Sequence, residues 1–121
     1  MEIYDSLIIG AGPAGLSTAI YLSRFNRSVL VIDMGYGRST SPEINENYLG
    51  FPEGIHAKDL RELGRKQAEK FGAEFIIDEI INVSKKQNFE LISKKNVYQG
   101  KTLIFATGVT DLFPKFEHMR E

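Results

Sequence analysis

The chain has 121 residues, 42% of them hydrophobic, with 15 lysines and arginines against 16 aspartates and glutamates, a net charge of −1, and no cysteine. This length allows one small domain, and the balanced charge argues against a general binder of nucleic acid or membrane surfaces. The lack of cysteine removes disulfides and thiol chemistry, the two histidines His56 and His118 sit in no ligand-spaced cluster so no metal site is expected, and neither a membrane span nor a secretory leader is written into the sequence, so a cytoplasmic protein is expected.

Residues 3–9, IYDSLII, read as a short buried strand that ends at a glycine. Residues 13–25 carry helical spacing through Leu16, Ala19, Ile20 and Ser23, with Pro13 in the first turn, where its missing N–H costs nothing. Residues 28–33, SVLVID, form a second apolar strand, which completes a βαβ unit. Residues 34–56 are rich in glycine, proline, serine and asparagine and read as a long functional or mobile loop. Residues 57–71 form an amphipathic helix with Leu60, Leu63, Gln67, Ala68 and Phe71 along its apolar side, and Gly72 stops it. From about residue 74 to 100 come short β-rich pieces separated by polar turns, predicted to be a small antiparallel meander with lysines on its edges. Residues 101–106 are a buried strand that runs into Thr107 and Gly108. The strands 3–9, 28–33 and 101–106 are predicted to lie parallel in one sheet.

The chemistry is concentrated in GAGPAG, residues 10–15. The turn between a first strand and a first helix points free N–H groups and the positive end of the helix dipole at an anion, above all a pyrophosphate. Gly10 permits the sharp turn, Gly12 lets backbone approach phosphate, and Gly15 lets the helix pack close to the strand. An acid, Asp33, follows at the end of the next strand, where its carboxylate can accept hydrogen bonds from adenosine ribose hydroxyls. The same carboxylate should repel a 2′-phosphate, so the expected ligand is FAD or NAD rather than NADP.

The segments GAGPAGLSTAIYLSR, SVLVID, ENYLGFPEGI, LRELGRKQAEKFGAEF and LIFATG occur in this order and spacing. Together, over residues 3–114, they resemble the N-terminal half of the FAD domain of thioredoxin reductase-like flavoproteins, within the pyridine nucleotide-disulfide oxidoreductases. The resemblance implies an α/β, Rossmann-like FAD-binding fold, a ββα three-layer sandwich combining the parallel sheet and the meander. It implies that Gly10, Gly12, Pro13, Ala14 and Gly15 hold the FAD pyrophosphate and that Asp33 binds the adenosine ribose, with many relatives carrying the longer Glu there. It implies that Asn47 lies near the flavin ring, that the backbone of Ile80 contacts adenine, and that Ala106, Thr107 and Gly108 pass close to the cofactor. Arg38, in the Gly37–Arg38–Ser39 stretch, is a candidate phosphate contact and equally a solvated arginine. Read as residues alone, Asn47 also suits a turn, Ile80 a core, Thr107–Gly108 the end of a strand, and Tyr48 and Phe51 the packing of a loop on protein.

In this family a pyridine-nucleotide domain interrupts the FAD domain, and the thioredoxin reductases proper carry a Cys-x-x-Cys pair. The present sequence has one glycine-rich βαβ unit and no cysteine. The expectation is therefore a single, incomplete FAD-binding domain over 1–121 with no NAD(P)H domain, taken from an NAD(P)H-dependent flavin oxidoreductase and inactive alone. Its partners would be FAD and a second copy or the remaining half of the domain. Two other readings stay open: a stand-alone module that binds NAD or an adenine dinucleotide without catalysis, and an interaction subunit completed by a partner chain.

Overall fold

The computed structural model describes residues 2–35 and 44–108. The predicted candidate Arg38, its neighbours Gly37 and Ser39, and His118 lie outside the described residues.

The elements run β1 (Ile3–Ile9), α1 (Pro13–Arg24), β2 (Val29–Asp33), β3 (Ile44–Asn45), β4 (Ile55–His56), α2 (Ala57–Lys70), β5 (Glu74–Ile77), β6 (Ile80–Lys85), β7 (Phe89–Ser93) and β8 (Val97–Phe105). Among the described residues, six strands form one sheet in the order β5-β2-β1-β8-β7-β6, and β3 pairs with β4 in a separate two-stranded sheet. β1 is parallel to both β2 and β8, and β2 is parallel to β5. The chain therefore moves outward from β1 to β2 and β5, then returns to the other side of β1 as β8. That reversal places a topological switch point at the carboxyl ends of β1 and β8, the place where open α/β sheets bind their ligands.

Alternation along the central strands divides the core between two faces. Ile8, Val29 and Val31 pack with Ala19 of α1 and Ala68 of α2 on one face. Leu7, Leu30 and Ile32 pack with Leu91 of β7 on the other, joined by Ile80 of β6 and Tyr98 of β8. The order is thus helices, parallel strands, then meander, the predicted three-layer ββα arrangement.

Two boundaries differ from the sequence expectation. The predicted meander began near residue 74, but Glu74–Ile77 instead adds a fourth parallel strand beside β2. Asp78 and Glu79 separate it from β6, which pairs antiparallel with β7. The end of the predicted meander and the strand predicted at 101–106 are joined in one strand, β8, which ends at Phe105. Val97–Gly100 pair with β7 and Gln99–Phe105 with β1, so Gln99 and Gly100 pair on both sides. Gly100 lies in this shared stretch, and a Cβ there would come within 2.6 Å of Leu7 Cγ. The missing side chain lets the strand lie directly on the central core residue.

Helix α1 buries Gly15, Leu16, Ala19 and Ser23, close to its predicted stripe. Helix α2 buries Ala57 and Ala68, whereas Leu63 is 50% exposed. The expected apolar side through Leu63 and Gln67 is therefore rotated outward. Close approach of the two helices is the reason: a Cβ on Gly64 would stand 2.9 Å from Leu16 Cδ1, so small residues must face α1.

Candidate functional site

The glycine turn is built by close backbone contact. Gly10 has φ +110°, a left-handed conformation that disfavours any side chain. Its N–H donates to the Ile32 carbonyl at 2.8 Å, and a Cβ on it would run into the carbonyl of Ala106. A Cβ on Gly15 would in turn overlap the carbonyl oxygen of Gly10. Three backbone segments, the end of β8, the turn and the first turn of α1, are thus stacked with no room for a methyl group. Ala106 is fixed in this stack by its N–H donating to the Ile9 carbonyl at 2.8 Å.

Gly12 is the N-cap of α1, with φ −80° and ψ −172°, an extended conformation open to any residue. It supplies no side-chain cap, Pro13 follows, and the first turn contains no acidic residue. The early N–H groups of the helix, including those of Ala14 and Gly15, have no intrahelical acceptor. Most helices quench this end with a capping oxygen or a carboxylate. Here the electropositive end is left for something else.

Asp33, the last residue of β2, is tied into this turn. Its Oδ1 accepts from Ala11 N–H at 3.1 Å and its Oδ2 from Gly35 N–H at 2.9 Å. Oδ2 also accepts from Arg61 Nη2 at 2.8 Å, and Arg61 Nε donates to the Ala11 carbonyl at 3.2 Å. The result is a closed ring: Ala11 gives to Asp33, Arg61 gives to both, and three separate elements are joined. Both side chains of the ion pair are mostly buried, 22% exposed for Arg61 and 16% for Asp33.

The pair forms the wall of a cleft of about 600 Å³. Its lining includes Ala11 and Leu16, Lys58 and Arg65 of α2, and Phe75 and Ile77 of β5. Arg65 stacks over the Phe75 ring at 4.9 Å and pairs with Glu69 at 3.1 Å. The volume is in the range of small-molecule sites, and the cleft opens beside the carboxyl ends of β2 and β5.

The structure thus brings together Gly10, Gly12, Pro13, Ala14, Gly15, Asp33 and Ala106, with Thr107 and Gly108 following Ala106 in the chain. Gly108 has φ +74°. Asn47 is exposed in the bend after β3, and Ile80 starts β6 with its side chain against the core of the meander face. Arg61 was not singled out in the sequence, where it reads as one more charge on an amphipathic helix. A signal was present: Lys58, Arg61 and Arg65 recur at helical spacing and share one face. Among the described residues, no group of three or more His, Cys, Asp and Glu could hold a metal ion. No helix among them is long and apolar enough to cross a membrane.

Comparison with known proteins identifies the family. The family profile described as "Pyridine nucleotide-disulphide oxidoreductase" matches residues 4–120. The chain is 38% identical to a thioredoxin reductase of Bacillus subtilis, over 88% of this chain and 34% of that protein. It is 34% identical to one of Aquifex aeolicus, over 99% of this chain and 38% of that protein. Among solved structures, it is similar to the atypical thioredoxin reductase TRi of Desulfovibrio vulgaris Hildenborough. That match has a TM-score of 0.84 and 34% identity, over 96% of this chain and 40% of the other. The thioredoxin reductase of Streptococcus pyogenes gives a TM-score of 0.85 and 32% identity, over 93% of this chain and 37% of the other. The chain therefore spans a little over a third of the length of the relatives it matches.

Proposed function

The chain belongs to the pyridine nucleotide-disulphide oxidoreductase family, and on that premise we propose that it holds the adenosine and pyrophosphate of FAD for a thioredoxin reductase-like, NAD(P)H-dependent flavin oxidoreductase. The single observation that carries this reading is the uncapped, acid-free N-terminus of α1, placed at the point where the strand order reverses. A pyrophosphate matches it in charge and in its demand for N–H donors. The stack of Gly10, Gly15 and Ala106 keeps side chains out of the approach.

In this reading the backbone of Gly12 to Gly15 binds the pyrophosphate and Asp33 faces the ribose. Ala106, Thr107 and Gly108 line the path toward the flavin, Asn47 serves the flavin side, and the Ile80 backbone serves the adenine. Arg38 remains a candidate phosphate contact. A bound flavin supplies two-electron chemistry that no side chain here offers. The sequence has one glycine-rich βαβ unit and no cysteine, and in this reading the relay of electrons from NADPH to a disulfide needs parts that these 121 residues do not supply.

Titration of the purified chain with FAD, FMN and ADP tests the assignment. FAD and ADP should bind and compete, and FMN, which lacks the adenosine, should not. Binding of FMN as tight as FAD, or failure of both FAD and ADP, would overturn it.

A further inference from the structure

Asp33 stands where the residue at the end of the second strand meets the ribose hydroxyls, and an acid there should exclude a 2′-phosphate by charge repulsion. That argument assumes an uncompensated carboxylate. In this chain the carboxylate is paired with Arg61 at 2.8 Å, and Arg61 is held in place by a second bond to the Ala11 carbonyl. A guanidinium has five donors in a fixed fork, and the two bonds described use one on Nε and one on Nη2. Lys58 and Arg65 line the same cleft. Among the described residues lining it, Lys58, Arg61 and Arg65 outnumber Asp33 and Glu62.

Resting on the adenine-dinucleotide reading above, we propose that Arg61 is the specificity-determining residue of the adenosine subsite. It cancels the charge by which Asp33 would reject a 2′-phosphate, and the site accepts adenosine dinucleotides both with and without that group. A phosphate on the 2′ oxygen would lie beside both partners of the Asp33–Arg61 pair. Its attraction to the guanidinium offsets its repulsion from the carboxylate, while Lys58 is matched in the lining by Glu62 and Arg65 is paired with Glu69.

The test uses two ligands that differ by one phosphate, ADP-ribose and 2′-phospho-ADP-ribose, titrated calorimetrically into the 121-residue chain, with FAD in parallel. The wild-type chain should bind the two ribose nucleotides within about threefold of each other. Arg61→Gln should weaken the 2′-phosphorylated ligand by about tenfold, the size of one partly screened charge interaction, and ADP-ribose by far less. Arg61→Lys should restore tolerance, because it returns the charge without the fork. Thermal melts of each variant confirm that it is folded. The inference is overturned if wild type binds FAD and ADP-ribose but rejects the 2′-phosphate, or if Arg61→Gln weakens both nucleotides equally, which is the mark of a purely structural strut. It is also overturned if FAD binds and neither nucleotide does, a result that leaves the FAD reading intact. Loss of FAD binding as well would remove both.

Discussion

The α-carbon of Gly15 faces the carbonyl oxygen of Gly10 so closely that a Cβ on Gly15 would overlap that oxygen. Gly10, in turn, rests on the Ala106 carbonyl with φ +110°. The two outer glycines of the turn therefore serve the fold before any ligand is considered. Gly15→Ala should cost about 1–3 kcal/mol of stability, the usual penalty of overpacking a site walled by backbone. Urea unfolding measures it, and a variant as stable as wild type would contradict the stack.

Gly12 behaves differently. Its extended backbone carries none of the conformational strain that a side chain would meet at Gly10. Gly12→Val should stay within about 1 kcal/mol of wild type in stability. It should nonetheless lose FAD and ADP binding, because the branched side chain occupies the approach to the helix N-terminus. A folded Gly12→Val chain that binds FAD as wild type does would remove the pyrophosphate from this turn.

Asp33→Asn keeps an acceptor for the Ala11 N–H but deletes the charge that Arg61 meets at 2.8 Å. Binding of ADP should weaken by about 1–3 kcal/mol, the worth of a charge-assisted hydrogen bond. Calorimetry on the two proteins decides, and unchanged affinity would show that the carboxylate serves only the ring with Ala11 and Arg61.

Asp78, in the link between β5 and β6, accepts a hydrogen bond from the Tyr98 hydroxyl at 2.7 Å. That bond, foremost, holds its carboxyl below the ordinary carboxylate value, while burial pushes the Tyr98 hydroxyl up. A carboxylate depressed on folding adds stability above its ordinary pKa, and the contribution fades as pH falls through the lowered folded value. Asp5, lowered chiefly by the Ser28 backbone N–H, acts in the same direction. Stability should therefore decline below about pH 4. Asp78→Asn should flatten that decline and lower stability at pH 7. Unfolding measured from pH 2 to 7 checks both, and a variant whose acid slope matches wild type would exclude Asp78 as a source.

What the sequence determined by itself was local. A strand, a glycine turn and a helix with Pro13 in its first turn are written in adjacent residues, because apolar period and turn chemistry act over a few positions. Asp33 was legible for the same reason, as the acid closing an apolar strand one crossover later. Tertiary structure decided the rest. Glu74–Ile77 has the same β-rich character as the meander strands, and only the free edge of β2 made it a parallel neighbour. The buried side of α2 follows Ala57, Gly64 and Ala68 rather than Leu63, because the distance to α1, set by Leu16, admits only small residues. Arg61 lies 28 positions from Asp33 in the chain. Nothing local marks one of several helix cations as the partner of that acid, since the pairing exists only once α2 has packed across α1 and delivered the guanidinium to the end of β2.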